Sequence, residues 1–520
     1  MSEKKDFENA VAGRREWIGL AVLALPCMLL SMDLTVLHLA VPSLSAQLKP
    51  SSAQLLWIVD IYGFMIAGSL ITMGTLGDRI GRRKLLLFGA AAFGAASIAA
   101  AFSTTSGMLI ATRALLGVAG ATLMPSTLAL IRNMFHNPRQ RSTAIAWWLN
   151  SFMAGSAIGP LLGGFMLEHF WWGSVFLLNV PVMAMLIVLG PFLLPEFRDR
   201  NAGRLDIPSA GLSLVSILSV IYGVKQIAQD GFSAVSAAAM LLGIAIGAVF
   251  VARQKKLAHP LIDLRLFSVP AFGVSVTTQL VALLAMAGIY FFVAQYFQLV
   301  LGMSPLVAGL WLLPSTAVGM IGSFLTPALG RRIRPGYVVA GGLVVAALGM
   351  AVLTAVASAG LGLAVTGFVI ISVGLNPTMT MTTDLIMGVA PPDRAGAASA
   401  ISETSCELGL ALGLAILGSV GTASYRRIMA ADALPGIPVE SVNAARGTLG
   451  GALGVAERIG GPSGDALLDL ARVAFTQSLA LVAAISAAIV LGTAIFAFMR
   501  LRQIPIRTES VAQPEVSAAA

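Results

Sequence analysis

An all-α membrane protein of fourteen transmembrane helices, arranged as two six-helix halves plus two inserted helices, is the fold this sequence predicts. Composition is the first reason. The 520 residues are 57% hydrophobic and only 11% charged, with a mean hydropathy of +0.87, whereas soluble chains carry about 25% charged residues. The apolar runs are the second: fourteen stretches approach the roughly 20 residues that a bilayer-spanning helix needs. The third is the placement of positive charge between those runs.

The elements follow in order. The polar start MSEKKDFENAVAGRRE leads into 17–41 with no small-residue cleavage site after it, so this segment is expected to be a retained helix rather than a signal peptide. Segment 51–75 follows across a turn holding Lys49, and the cluster Arg79, Arg82, Arg83 and Lys84 separates it from 83–103. Segment 108–131 contains Arg113 and stops at Arg132, with Arg139 and Arg141 ahead of 142–167. After 173–194 come Arg198, Arg200 and Arg204, then 206–227 and 234–252. The linker RQKKLAHPLIDLRLF mixes charge with apolar anchors suited to lying along a membrane surface, and it leads to 271–299 and 305–327. Arg331, Arg332 and Arg334 precede 337–356, 360–388 and 397–422, and a long loop, 423–472, precedes 473–499. That loop carries two amphipathic stretches, ESVNAARGTLGGALGVAERI and DALLDLARVAF, read as short helices on the outer surface.

An even helix count puts both termini on one side. Of the 33 Lys and Arg residues, 25 fall on that side and 7 on the other, Arg113 being the remaining one. Positive charge is retained in the cytoplasm, so both termini are expected there, in a multi-pass protein of the cell (inner, cytoplasmic) membrane. The net charge of +9 is this asymmetry and not a nucleic-acid footprint. Cys27 and Cys406 both lie in apolar runs, which implies no disulfide framework.

The loops GTLGDRIGRRKLLL and PALGRRIRPGYVV place a glycine and an arginine cluster at equivalent turns of segments 1–6 and 9–14. Internal repeats mark secondary transporters, with the substrate site at the midplane between them. The expected organisation is an N-terminal half at 1–200, two inserted helices and a linker at 201–268, and a C-terminal half at 269–520 containing loop 423–472.

Asp33, Asp60, Glu403 and Glu407 sit inside apolar runs, where an ionisable group costs about 2.5–3.5 kcal/mol even on lenient scales. Asp33 and Asp60 each lie about nine residues from the outer end of their segments, roughly 14 Å deep at 1.5 Å per residue, so the two are expected to face one cavity. Burial and a like-charged neighbour both disfavour the ionised form. Such a carboxylate binds a proton and releases it when a cation arrives. Glu403 and Glu407 are four residues apart and share a helix face. Arg113 cannot shed its charge and needs a carboxylate or carbonyl partner. Trp57, three residues before Asp60, is a candidate cation–π contact. Asp384, near the cytoplasmic end of its segment, is expected to reach the interface. Gly155, Gly159 and Gly163 recur at spacing four beside Pro160 and Gly164, a pattern for close helix packing and bending.

Gly74, Gly77, Asp78, Arg79, Gly81, Arg82 and Arg83 resemble the signature loop of the major facilitator superfamily. ATRALLGVAGATLMP around Arg113 and GSAIGPLLGG across Gly155–Gly164 are similar to two further motifs of that superfamily, the second being its antiporter motif. MDLTVLHLAVP, QLLWIVDIY and SETSCELG resemble its fourteen-helix drug:proton antiporters, in the QacA/SmvA-like quaternary ammonium branch. The resemblance covers essentially the whole chain. It implies a monomeric, proton-coupled exporter of lipophilic cations (quaternary ammonium compounds, dyes, biguanides) working by alternating access. It further implies a role in proton coupling for Arg113 and a latch at Asp78. No cofactor is expected, because the proton gradient is the energy source. Segment 305–327 holds no carboxylate, which favours monovalent substrates. Export of an endogenous antibiotic or metabolite, neutral or zwitterionic drugs included, is the alternative. A membrane enzyme is disfavoured by the absence of a nucleotide loop, nucleophile motif or metal-spaced His/Cys cluster, and a passive channel by the repeat and the bending motif.

Overall fold

The computed structural model describes residues 11–50, 52–198, 206–230, 233–257, 260–262, 264–303, 305–391, 394–431 and 445–504. Each predicted segment is helical. The first half contains α1 Arg14–Leu48, α2 Ser52–Ile80, α3 Arg82–Ala101, α4 Ser106–Met134, α5 Pro138–His169 and α6 Asn179–Leu193, the last preceded by a single turn, Ser174–Leu177. The inserted pair is α7 Ile207–Asp230 and α8 Ala234–Gln254. Then come α9 Pro270–Gln295, continued by a π-turn Tyr296–Val300, α10 Pro305–Arg332, α11 Pro335–Leu353, α12 Val356–Val389, α13 Ala395–Ala431 and α14 Gly461–Leu501. Among the described residues twelve helices are long and apolar enough to cross a membrane; α2 and α5 are of similar length but fall outside that set.

Local chemistry sets several ends. The Thr105 hydroxyl accepts from Met108 N at the start of α4, and Asn137 accepts from Arg139 N and Gln140 N with Pro138 in the first turn of α5. Ser233 and Ser236 form a reciprocal capping box on α8. Gly81 makes the tight α2–α3 corner at φ 114°, a conformation closed to most side chains.

Packing repeats with an offset of eight helices. In the first half α1 lies along α5, α2 and α3 lie along α4, and α3 lies along α6. In the second, α9 lies along α13, α10 and α11 lie along α12, and α11 lies along α14. The α1–α5 and α9–α13 crossings use the same device. A Cβ at Gly155 would stand 2.1 Å from Met28 O, and one at Gly413 would stand 2.1 Å from Leu284 O. Lipid supplies no hydrophobic drive between helices, so close backbone approach and dispersion do the work.

The inserted helices pair with each other, and α7 rests on both α2 and α13 at the seam. Their basic-end corner is polar: Arg253 donates to Asp206, Gln254 donates to the Ser209 hydroxyl, and Gln254 Oε1 accepts from Leu261 N.

The outer loop departs from expectation. DALLDLARVAF is not a separate surface helix; it forms the start of α14, which runs unbroken for 41 residues. The other stretch does fold separately as Leu449–Ile459, whose Leu449, Ala452 and Val455 are buried against the second half. Tyr425 Oη donates to Ala445 O and helps hold this cap down.

Candidate transport site

At the centre of the first half Arg113 Nη1 donates to Asp33 Oδ2, joining α4 to α1. Arg113 Nε donates to Ile58 O of α2 at 3.2 Å. The guanidinium carbon also lies 4.5 Å from the centroid of the Tyr62 ring and 5.9 Å from that of Phe176. Arg113 is fully buried and Asp33 is 7% exposed. Asp33 is therefore the partner that the buried arginine requires, rather than an unpaired cavity group. The Tyr62 hydroxyl, at the middle of this cluster, is buried without a hydrogen-bond partner among the described residues.

Glu403 and Glu407 approach from the other half. Glu403 is 8% exposed and close enough for its charge to act on Cys27 of α1; Glu407, half-buried, acts on Tyr62 together with Asp33 and Arg113. Both glutamates are thus within electrostatic reach of first-half residues, Glu403 of Cys27 and Glu407 of Tyr62. Asp60 lies on α2 between Ile58 and Tyr62, and its side chain is outside the described residues, as are those of His38 and Pro160. Trp57 is not part of this cluster: it is 41% exposed and makes an edge contact with Phe64, ring centroids 6.1 Å apart.

The two halves meet at the end that carries the arginine turns. Asp78 accepts from Arg82 Nε at 2.8 Å and from the backbone N–H groups of Gly396 and Ala397 at 3.1 and 3.0 Å. Those N–H groups open α13, where the helix dipole favours an anion. Arg82 Nη1 also donates to Ala129 O. Beneath this contact a Cβ at Gly74 would stand 2.6 Å from Ala400 Cβ and 2.6 Å from Gly396 O. The other motif residues shape the corner. Gly77 faces Leu85, Gly81 faces Glu196, Arg83 donates to Pro191 O and Leu194 O, and Arg79 is half-buried.

On the second seam Arg141 of α5 lies 3.4 Å from Asp384 of α12, both buried, and Arg132 Nε donates to Met387 O at 2.8 Å. Asp384 does not reach an interface; it is locked between the halves. Higher along this seam Trp147 packs edge-on against Phe324, and Asn150 Nδ2 approaches Met320 O at 3.4 Å. Toward the opposite end Leu161, Leu162 and Phe165 of α5 and Leu310, Trp311 and Leu313 of α10 are exposed.

In the glycine-rich stretch of α5, Gly155, Gly159 and Gly163 press on Met28, Thr35 and Val36 of α1, while a Cβ at Gly164 would meet nothing within 4 Å. Sequence reasoning missed the Arg141–Asp384 pair, the central place of Tyr62, the second glycine stripe at Gly409 and Gly413, and Gln279, which bridges Thr383 and Ser402.

Two bundles related by an eight-helix offset, meeting over a buried charge cluster, define a polytopic transporter. The Major Facilitator Superfamily model matches residues 23–414, and the chain belongs to that family. It is 44% identical to the multidrug efflux pump LfrA of Mycolicibacterium smegmatis over 92% of this chain and 95% of that one. It is 36% identical to the methyl viologen resistance protein SmvA of Salmonella typhimurium over 89% and 94% of the two chains. With the tetracenomycin C resistance and export protein of Streptomyces glaucescens the identity is 33%, over 78% and 76%. Among solved structures, the fold resembles a XylE variant with two tryptophan substitutions (TM-score 0.63, 12% identity, 95% and 97% covered). It also resembles the human organic anion transporter MFSD10 (TM-score 0.58, 16% identity, 94% and 99% covered).

Proposed function

We propose that this chain is a proton-coupled multidrug exporter that moves lipophilic cations out of the cell by alternating access, driven by the proton gradient without a cofactor. The observation that carries the reading is the convergence of Asp33, Arg113 and Tyr62 from one half with Glu403 and Glu407 from the other. Two glutamates facing a fixed arginine–aspartate pair form a site whose charge changes by one with each proton or monovalent cation taken up. Aromatic rings already hold a cation here, Arg113, and a flat lipophilic cation is recognised by the same physics. The efflux and resistance roles of LfrA and SmvA support drug export.

With the arginine-rich end cytoplasmic, as the positive-inside rule requires, the closed seams face the cell interior and the exposed helix ends face out. The chain is then seated in the cytoplasmic membrane with both termini inside. Opening inward then requires release of Asp78 from α13 and of Arg141 from Asp384. The expected working unit is a monomer, since both halves of the site come from one chain.

The test is ethidium efflux from energised vesicles, with and without an uncoupler, for wild type, Asp33→Asn, Asp60→Asn and Glu403→Gln. The reading requires uncoupler-sensitive efflux that Asp33→Asn or Glu403→Gln abolishes while membrane levels of the protein hold. Full efflux by both variants would remove these groups from the mechanism. The second reading, export of an endogenous antibiotic or of neutral and zwitterionic drugs, is favoured by the tetracenomycin C export relative. It is adopted if no cation moves under any gradient.

A further inference from the structure

We propose that Ser399, Ser402, Gln279 and Thr383 seat a file of internal water that carries protons from Glu403 in the central site to the Asp384–Arg141 pair at the arginine-rich end. The inference rests on the proton-coupled reading above.

Ser399 lies one turn below Glu403 on the same face of α13, and Ser402 adjoins Glu403. Ser402 Oγ donates to Gln279 Oε1 at 2.8 Å, and Gln279 Nε2 donates to Thr383 Oγ1 at 2.9 Å. Thr383 adjoins Asp384, which lies 3.4 Å from Arg141. The hydrogen-bonded run Ser402–Gln279–Thr383 steps from α13 to α9 to α12, and its ends stand one residue in sequence from Glu403 and from Asp384.

The hydroxyls around it are the second observation. Ser275 and Thr278 of α9 and Ser399 and Thr404 of α13 are buried without a hydrogen-bond partner among the described residues. Hydroxyls inside helices ordinarily satisfy themselves on the preceding turn, as Thr378, Thr380 and Thr382 do here. Ser275, one turn before Gln279, and Ser399, one turn before Glu403, flank the run on its own helix faces, and internal water satisfies such groups. The corresponding place in the first half is filled differently. In the register that pairs Gly155 with Gly413 and Met28 with Leu284, Gln279 and Ser402 correspond to Leu23 and Ala144, both buried and apolar. The polar file thus belongs to the half that carries Glu403.

The proton balance is simple. Glu403 in its acid form gives its proton to the first water, successive hydrogen bonds shift along the file, and a hydronium leaves at the arginine-rich end. The carboxylate left behind is neutralised by the incoming cation. The ionisable groups around Glu403 are Glu407 and Cys406 on its own helix, Cys27 on α1, and beyond them Tyr62 with the Asp33–Arg113 pair.

The experiment uses the full chain in proteoliposomes with ethidium as probe. Transport driven by an imposed pH gradient is compared with ethidium counterflow at equal pH, which needs no proton release. Gln279→Met keeps the shape but not the hydrogen bonds, and Ser399→Ala removes one hydroxyl. The expected result is a loss of gradient-driven transport of about tenfold in Gln279→Met and Ser399→Ala, the effect of roughly one hydrogen bond on a barrier. Counterflow stays within about twofold of wild type in both. Loss of both activities together would show a structural role and overturn the file, as would coupled transport untouched by Gln279→Met. A wild type that exchanges ethidium but ignores the gradient would instead overturn the coupling reading itself, and this path with it.

Discussion

Arg141 of α5 and Asp384 of α12 face each other at 3.4 Å across the seam between the halves, each less than one-tenth exposed. A buried pair is a weak source of net stability, but removing one member leaves an uncompensated charge at a cost of about 3–5 kcal/mol. The pair is thus a clamp for one conformation. Asp384→Asn is expected to populate the inward-open state. This is measured as increased labelling of single cysteines placed at the arginine-rich end, with efflux reduced by tenfold or more, about 1.4 kcal/mol of shifted equilibrium. Exchanging the two charges, Arg141→Asp with Asp384→Arg, is expected to restore much of both readouts. Unchanged labelling in Asp384→Asn would show that the pair does not gate.

Gly74 and Gly396 make the companion prediction on the first seam. Each occupies space that a side chain on the other helix would need: a Cβ at Gly396 would stand 2.5 Å from Asp78 Oδ1 and 2.6 Å from Gly74 O. Gly74→Val wedges α2 from α13 and pulls Asp78 from the α13 N-terminus. The expected outcome is a protein that still binds ethidium, measured by fluorescence polarisation, but no longer pumps it. Retention of full efflux would mean that the closed seam is not needed for transport.

The fold was legible because bilayer thickness imposes an apolar length that composition alone reveals. The partners were not. Arg113 announced a need for a carboxylate, yet four intramembrane carboxylates competed for it, and nothing in helical periodicity favours one 80 residues away. Arg141 and Asp384 are 243 residues apart, so their pairing exists only once helices are placed. Asp384 in isolation looks like an interfacial charge. The Gly409 and Gly413 stripe was hidden for another reason: in LGLALGLAILG glycine alternates with leucine and alanine and reads as plain apolar span. What did transfer directly was local chemistry, such as the packing face of Gly155, Gly159 and Gly163.

That packing face gives a paired test. Gly155→Ala would drive a methyl into Met28 O, while Gly164→Ala, nine residues on, meets open space. Overpacking of this kind costs about 1–3 kcal/mol. Gly155→Ala is expected to lower the melting temperature in detergent and to reduce membrane yield, with Gly164→Ala matching wild type in both. Equal behaviour of the two variants would contradict the α1–α5 contact.

Asp206 offers a pH-dependent test of how the inserted helices are fastened. Its carboxylate accepts from Arg253 Nε at 2.8 Å and Nη2 at 3.0 Å and from the Ser209 hydroxyl at 2.5 Å. The Arg253 hydrogen bonds, followed by that from Ser209, hold its pKa down at about 2 from an ordinary 3.8. A carboxyl whose folded value lies below its unfolded one binds more protons unfolded. Its stabilisation is therefore complete above the unfolded value and fades as pH falls from near 4 through 2. Hydrogen exchange of the α7–α8 corner, followed peptide by peptide from pH 5 to 2, is expected to accelerate through that window. Asp206→Asn is expected to exchange faster already at pH 5 and to lose the step. An acid step that survives in Asp206→Asn would assign the titration to another group and leave the Arg253 contact without a fastening role.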